Sequence, residues 1–218
     1  MVIYLPYSIN LRSLCRTLLP MDQKTLSAYE HDAPAFARAW EAQPVPSDVQ
    51  ALVRRFFTAG PTADIGCGSG RDTAWLNQNG FPAIGYDASD GLLREARRLH
   101  PRIQFRKASL PELDGIADNS FVNVLCETVI MHLSPIVIVP SVHRLVATLR
   151  PGGTLYLSWR VTEGADQRDE QGRLYTAFDP TLVFQALALA DVLLDEQRVS
   201  VASGRTVRCV VARKFEGG

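Results

Sequence analysis

The stretch "ADIGCGSGRDTAWL", residues 63–76, constrains the fold more than any other part of this chain. A short apolar run stops, glycines follow at 66, 68 and 70, and a helix-like pattern starts at once. A backbone turning that sharply needs glycine, which reaches positive φ at no steric cost and puts no Cβ between the chain and a ligand. A strand entering a helix through so short a link fits an alternating α/β architecture, in which each helix crosses back over a sheet.

The segments that follow keep this alternation. "TADIG" reads as the first strand and "RDTAWLNQN" as its helix. "FPAIGYD" is the second strand and "SDGLLREARRLH" the second helix, with Ser89 at its N-cap and Pro101 past its end. "IQFRKA" and "SFVNVLCE" hold the third and fourth strands. "LSPIVIVPSVHRLVATLR" is helical, Ser134 and Pro135 suiting its first turn and Pro140 marking a kink or restart. "GGTLYLSWR", entered through "RPGG", is the fifth strand. The ending departs from the pattern: "LLDEQRVSVASGRTVRCVVARK" holds two strand-like runs around "ASGR", a hairpin that makes the last strand antiparallel. The expected fold is α/β: a doubly wound, Rossmann-like sheet, mostly parallel, with helices on both faces.

Ahead of the sheet, residues 22–59 carry apolar residues at helical spacing in "AFARAW" and "VQALVRRFF", interrupted by "QPVPS". The expected division is a dispensable extension over 1–20, a helical cap over 21–60 and the α/β domain over 61–218. Between the fifth strand and the last helix, residues 161–180 run polar and then aromatic, long enough for a lid over about 160–180. Within it, "DQRDEQGR" reads as a solvated, mobile run rather than a binding patch.

Composition removes several function classes. Twenty-three basic residues balance 23 acidic ones, which leaves no overall electrostatic footprint for nucleic acid or an anionic membrane. Cys15, Cys67, Cys126 and Cys209 form no CxxC pair, so neither a disulfide frame nor a metal site is expected, and a reducing, cytoplasmic setting is. No apolar run approaches the roughly 18 residues that span a bilayer. Pro6, Ser8 and Asn10 break the N-terminal apolar stretch, and Arg12 and Arg16 lie in the wrong half for a signal peptide.

The turn itself narrows the ligand. A dinucleotide fingerprint places its third glycine three positions after the second, but here Gly70 comes one position early and Arg71 takes the later place. Asp87, closing the second strand in "GYDAS", supplies a carboxylate able to accept two hydrogen bonds from a ribose diol.

At these residues the chain resembles the class I S-adenosylmethionine-dependent methyltransferases, over about residues 60–160. "ADIGCGSGRDTAWL" is similar to the family's first motif and "GYDAS" to its second; "LCETVIMHL" resembles the strand-four segment and "LRPGGTLYLS" the turn into strand five. "SAYEHDAPAFARAW" is similar to the N-terminal helix that many members fold over the cofactor. The resemblance implies S-adenosyl-L-methionine as cofactor. It places Gly66, Cys67, Gly68 and Gly70 against the methionine and ribose portions, Asp64 at the methionine ammonium, and Asp87 with Ala88 at the ribose hydroxyls. Ser109 and Leu110 fall at the adenine, where the family often has an acid instead of Ser109, and Glu127 lines the same pocket. A second departure, Asn123 in "SFVNV", falls at a position that is usually structural.

Methyl transfer from a sulfonium needs orientation and exclusion of water more than a catalytic base; an alcohol or phenol acceptor would need one. The weak catalytic candidates are His132, Glu127, Arg160 and Tyr175, with Tyr29 and His31 as residues that close the site. Trp75 reads as core and Trp40 as an anchor for the cap. A small-molecule acceptor is expected over nucleic acid, for lack of a basic, aromatic-interleaved stretch. Two other readings stay open: a cofactor-binding accessory protein without catalysis, and an NAD-dependent oxidoreductase. The sequence sets neither the acceptor atom nor the oligomeric state.

Overall fold

The computed structural model describes residues 21–217, and the expected extension over 1–20 lies outside them. Three helices come first: α1 (Gln23–His31), α2 (Ala33–Glu41) and α3 (Ser47–Phe56). The alternating part runs β1 (Thr62–Ile65), α4 (Arg71–Gln78), β2 (Ala83–Asp87), α5 (Asp90–Leu99), β3 (Phe105–Lys107), β4 (Phe121–Cys126), α6 (Ile138–Thr148) and β5 (Leu149–Arg160). A two-stranded hairpin of β6 (Gln167–Arg168) and β7 (Leu174–Tyr175), helix α7 (Thr181–Ala186), β8 (Ala190–Val199) and β9 (Thr206–Lys214) complete the chain.

One seven-stranded sheet has the order β3-β2-β1-β4-β5-β9-β8. The strands from β3 to β5 are parallel, and β9 is antiparallel to both of its neighbours. The order reverses between β1 and β4, so the crevice that an open α/β sheet offers a ligand lies beyond the carboxyl ends of those two strands. Because helices cover both faces, β1 is buried along its whole length. Its side chains and those of β4 and β5 join two apolar layers, one under α6 and α7 and one under α3 and α4.

Local chemistry sets the helix starts. Ser89 caps α5 by accepting from the Leu92 N–H at 3.1 Å. Asp22 caps α1 by accepting from the Thr25 N–H at 2.8 Å. Pro140 neither kinks α6 nor starts it. A 3-10 turn (Pro135–Val137) precedes the helix, and Pro140 falls in the first helical turn, where its missing N–H leaves no bond unmade.

Asn123 is structural: its amide holds the entry to β1, donating to the Thr58 carbonyl at 2.8 Å and to Thr62 Oγ1 at 3.0 Å. Residues 161–180 differ from a polar, mobile loop. The β6–β7 hairpin folds back on α1, with Arg168 in a two-pronged ion pair to Asp22 at 2.7 and 2.8 Å and the Leu174 N–H donating to Thr25 Oγ1 at 2.8 Å.

Candidate cofactor and acceptor cavity

A cavity of about 680 Å3 opens at the switch point, a volume in the usual range for small-molecule sites. One half lies over the glycine turn and the ends of β1 and β2. The other lies between the end of β5, the β6–β7 hairpin and the β8–β9 tip. The antiparallel pairing of Arg160 with Val207 brings that tip to the carboxyl edge of the sheet.

The glycine turn is held from below, since the Gly66 and Cys67 N–H groups both donate to the Tyr86 carbonyl, at 2.7 and 3.0 Å. Gly66 (φ +76°) and Gly68 (φ +55°) have left-handed backbones. A Cβ on Gly66 would stand 2.2 Å from the Val129 side chain, and one on Gly68 would stand 2.8 Å from the Trp40 ring. Trp40 is therefore more than an anchor for α2: its indole forms the wall opposite the turn. Gly70 departs from its expected role. It does not line the cavity; its φ of +86° starts α4, and a Cβ there would meet the Phe105 ring at 2.6 Å. Close packing under the turn explains this glycine.

Asp64, Cys67, Asp87, Ala88, Ser109 and Leu110 all line the half over the glycine turn. Asp87 accepts from the Gly68 N–H with Oδ2 and from the Ser89 N–H with Oδ1, each at 2.9 Å, so strand, glycine turn and α5 share one carboxylate. Burial raises its pKa. Glu30 of α1 receives the Ser89 hydroxyl at 2.6 Å and the Gly91 N–H at 2.9 Å, which fixes the N-terminal helices beside the site.

Asp64 is 3% exposed and accepts from the Thr73 hydroxyl at 2.6 Å. Burial, followed by the nearby Asp72 charge, raises it to about 7. Glu127, at the end of β4, accepts from the Ser158 hydroxyl, and burial raises it to about 7 as well. Asp64, Asp72 and Glu127 thus give one wall an acidic character that a bound cation would offset.

His132 is 4% exposed, and both ring nitrogens are engaged. Nδ1 lies 2.5 Å from the Leu174 carbonyl and Nε2 lies 3.0 Å from the Tyr29 hydroxyl. The carbonyl can only accept, so Nδ1 carries the proton and Nε2 accepts from Tyr29. Burial lowers His132 to about 4 and raises Tyr29 to about 12. Arg173 donates to the same phenol oxygen at 3.2 Å and pairs with Asp169 at 2.6 Å. His132 thus lines the cavity as a neutral joint between α1 and the hairpin, with Nε2 toward Tyr29.

Tyr175 is buried, and its hydroxyl donates to Asp169 at 3.2 Å. The Arg160 guanidinium stacks over its ring at 4.5 Å. Tyr29 lines the cavity, whereas His31 is exposed and lies away from it. "DQRDEQGR" is not only a solvated run, because Arg168, Asp169, Glu170, Gln171 and Arg173 face the cavity. Sequence reasoning missed Arg205 and the rest of the β8–β9 tip; the hairpin signal together with the sheet order would have located them. Among the described residues, no group of three or more His, Cys, Asp or Glu side chains could hold a metal ion.

Residues 63–153 match a family described as a methyltransferase domain. A trans-aconitate 2-methyltransferase of Rhizobium meliloti is 33% identical over 101 residues, covering 44% of this chain and 37% of that protein. The chain therefore matches little more than a third of that curated relative's length. Among solved structures, a Burkholderia thailandensis 1,6-didemethyltoxoflavin-N1-methyltransferase with bound S-adenosylhomocysteine aligns with a TM-score of 0.68 at 20% identity, covering 98% of this chain and 93% of that one. A [4+2]-cyclase aligns with a TM-score of 0.69 at 16% identity, covering 91% and 97%. These two structures share the fold, and their differing reactions show that the fold alone does not set the chemistry. Residues 63–153 are thus similar to a methyltransferase domain, in a chain whose fold is shared with a solved methyltransferase structure.

Proposed function

We propose that the protein is an S-adenosylmethionine-dependent methyltransferase acting on a small molecule. The observation that carries this reading is Asp87, a buried carboxylate joining Gly68 and Ser89 across the glycine turn at the switch point. Each Asp87 oxygen keeps a lone pair for a ribose hydroxyl. Asp64, with Glu127 and Asp72 on the same wall, suits the cationic methionine end, and Ser109 and Leu110 suit the adenine. Gly66 and Gly68, not Gly70, are the glycines that let backbone approach the ligand.

The cofactor, when bound, supplies an electrophilic methyl group on a sulfonium. Asp87 would hold the ribose and Asp64 the methionine end of this donor, so that its methyl group would face the acceptor. The protein's part is to align the two and exclude water, which accounts for about 7–11 kcal/mol of barrier in well-oriented reactions. We assign the helices over 21–60 to closing the cofactor half and the hairpin within 160–180 to covering the acceptor half. The curated relatives are named for trans-aconitate, a small organic acid anion, and the cavity extends beyond the glycine turn to the hairpin, where an acceptor would lie. No helix among the described residues is long and apolar enough to cross a membrane, and the three buried free thiols fit work in the cytoplasm.

The test is incubation with methyl-labelled S-adenosylmethionine and pooled small acids, amines, phenols and thiols. Label transfer together with S-adenosylhomocysteine formation is expected from one pool. Cofactor binding without transfer to any pool would turn the reading toward an accessory protein.

A further inference from the structure

Arg160, Arg168, Arg173 and Arg205 face the acceptor half of the cavity. Two of them are committed: Arg168 to Asp22 and Arg173 to Asp169. Arg160 and Arg205 have no ion pair among the described residues. Arg160 is also held in place. Its backbone N–H lies 3.2 Å from Met131 Sδ at the end of β5, and its guanidinium carbon stands 4.5 Å from the centre of the Tyr175 ring. No hydrogen bond from this guanidinium is made among the described residues, and a guanidinium edge matches a carboxylate with two parallel hydrogen bonds. Partial burial makes such a cation costly without an anion opposite it. Among the described residues no carboxylate pairs with Arg160: Asp169 is taken by Arg173 and Glu127 by Ser158, and Glu170 on the hairpin makes no ion pair with it.

We propose that the methyl acceptor carries a carboxylate seated on Arg160, with Arg205 at the cavity mouth as a second, more exposed contact. This deepens the methyltransferase reading and rests on it. The site favours a carboxylate over a phosphate, since only two guanidinium groups are open and Asp169 and Glu170 stand on the same hairpin. A carboxylate also needs no base, in keeping with a His132 whose nitrogens are both occupied.

The test uses the full chain saturated with S-adenosylhomocysteine, whose own binding is measured first. Tricarballylate, succinate, succinamide and inorganic phosphate are then titrated by calorimetry into wild type, Arg160→Gln and Arg160→Lys. Carboxylate binding should weaken at least tenfold in Arg160→Gln, recover in part in Arg160→Lys, and be absent for succinamide. S-adenosylhomocysteine affinity should stay within twofold in all three proteins. Equal binding of succinamide, tighter binding of phosphate, no carboxylate binding, or an unaffected Arg160→Gln would overturn the proposal. Failure of S-adenosylhomocysteine to bind wild type would instead remove the reading beneath it.

Discussion

At the scale of single residues, the site depends on backbone that only glycine supplies and on acids kept from water. Gly68→Ala forces a side chain onto left-handed backbone, at about 1–2 kcal/mol, and drives its Cβ against Trp40. We expect a lower melting temperature and at least a tenfold loss of cofactor affinity, with Trp40→Ala relieving part of the second effect. A Gly68→Ala protein that binds as wild type would show that the turn does not touch the ligand. Asp64 and Glu127 both titrate near 7, above their unfolded values. The folded chain therefore holds extra protons between about pH 4 and 7, and these groups reduce stability as pH rises through that window. A cationic ligand favours their charged forms. Cofactor affinity should accordingly rise about tenfold from pH 6 to 8, with proton release detectable in buffers of different ionisation enthalpy. Asp64→Asn should flatten that profile and raise the melting temperature of the ligand-free protein at pH 8. A flat wild-type profile would contradict this account.

At the scale of elements, α1 was legible in the sequence, but the β6–β7 hairpin and its clasp on α1 were not. Apolar spacing and capping residues located helices and strands because those signals are local. Asp22 and Arg168 lie 146 positions apart, and nothing in either segment announces the other. For the same reason a polar run read as mobile loop proves to be wall. The ion pair at the surface is worth at most about 1 kcal/mol, so Arg168→Ala should barely move the melting temperature. The Leu174 amide, protected by Thr25, should nonetheless exchange about threefold to fivefold faster in that variant. Unchanged exchange would mean that apolar packing, not the clasp, holds the hairpin. Arg168 keeps the Asp22 carboxyl well below the usual carboxylate range. The clasp's contribution is therefore complete above about pH 4 and fades as pH falls below it.

At the scale of the whole molecule, strand order decides where chemistry can occur. The glycine turn, the alternation of strands and helices and the closing hairpin were legible and lead to the observed sheet. What sequence left open was which glycine does what. Gly66, Gly68 and Gly70 look alike in a motif, yet the third packs on Phe105 away from the cavity. Because the ligand would bridge β1, β2, β4 and the N-terminal helices, saturation should stabilise the fold as a unit. At a hundred times Kd the gain is about 2.7 kcal/mol, or roughly 5–10 °C for a domain of this size. The most direct test of the central claim is calorimetric titration of the protein with S-adenosylmethionine, S-adenosylhomocysteine and NADH, repeated with Asp87→Ala. Micromolar binding of the first two, lost in the variant, is the predicted result; binding of NADH alone, or of none of the three, would contradict it.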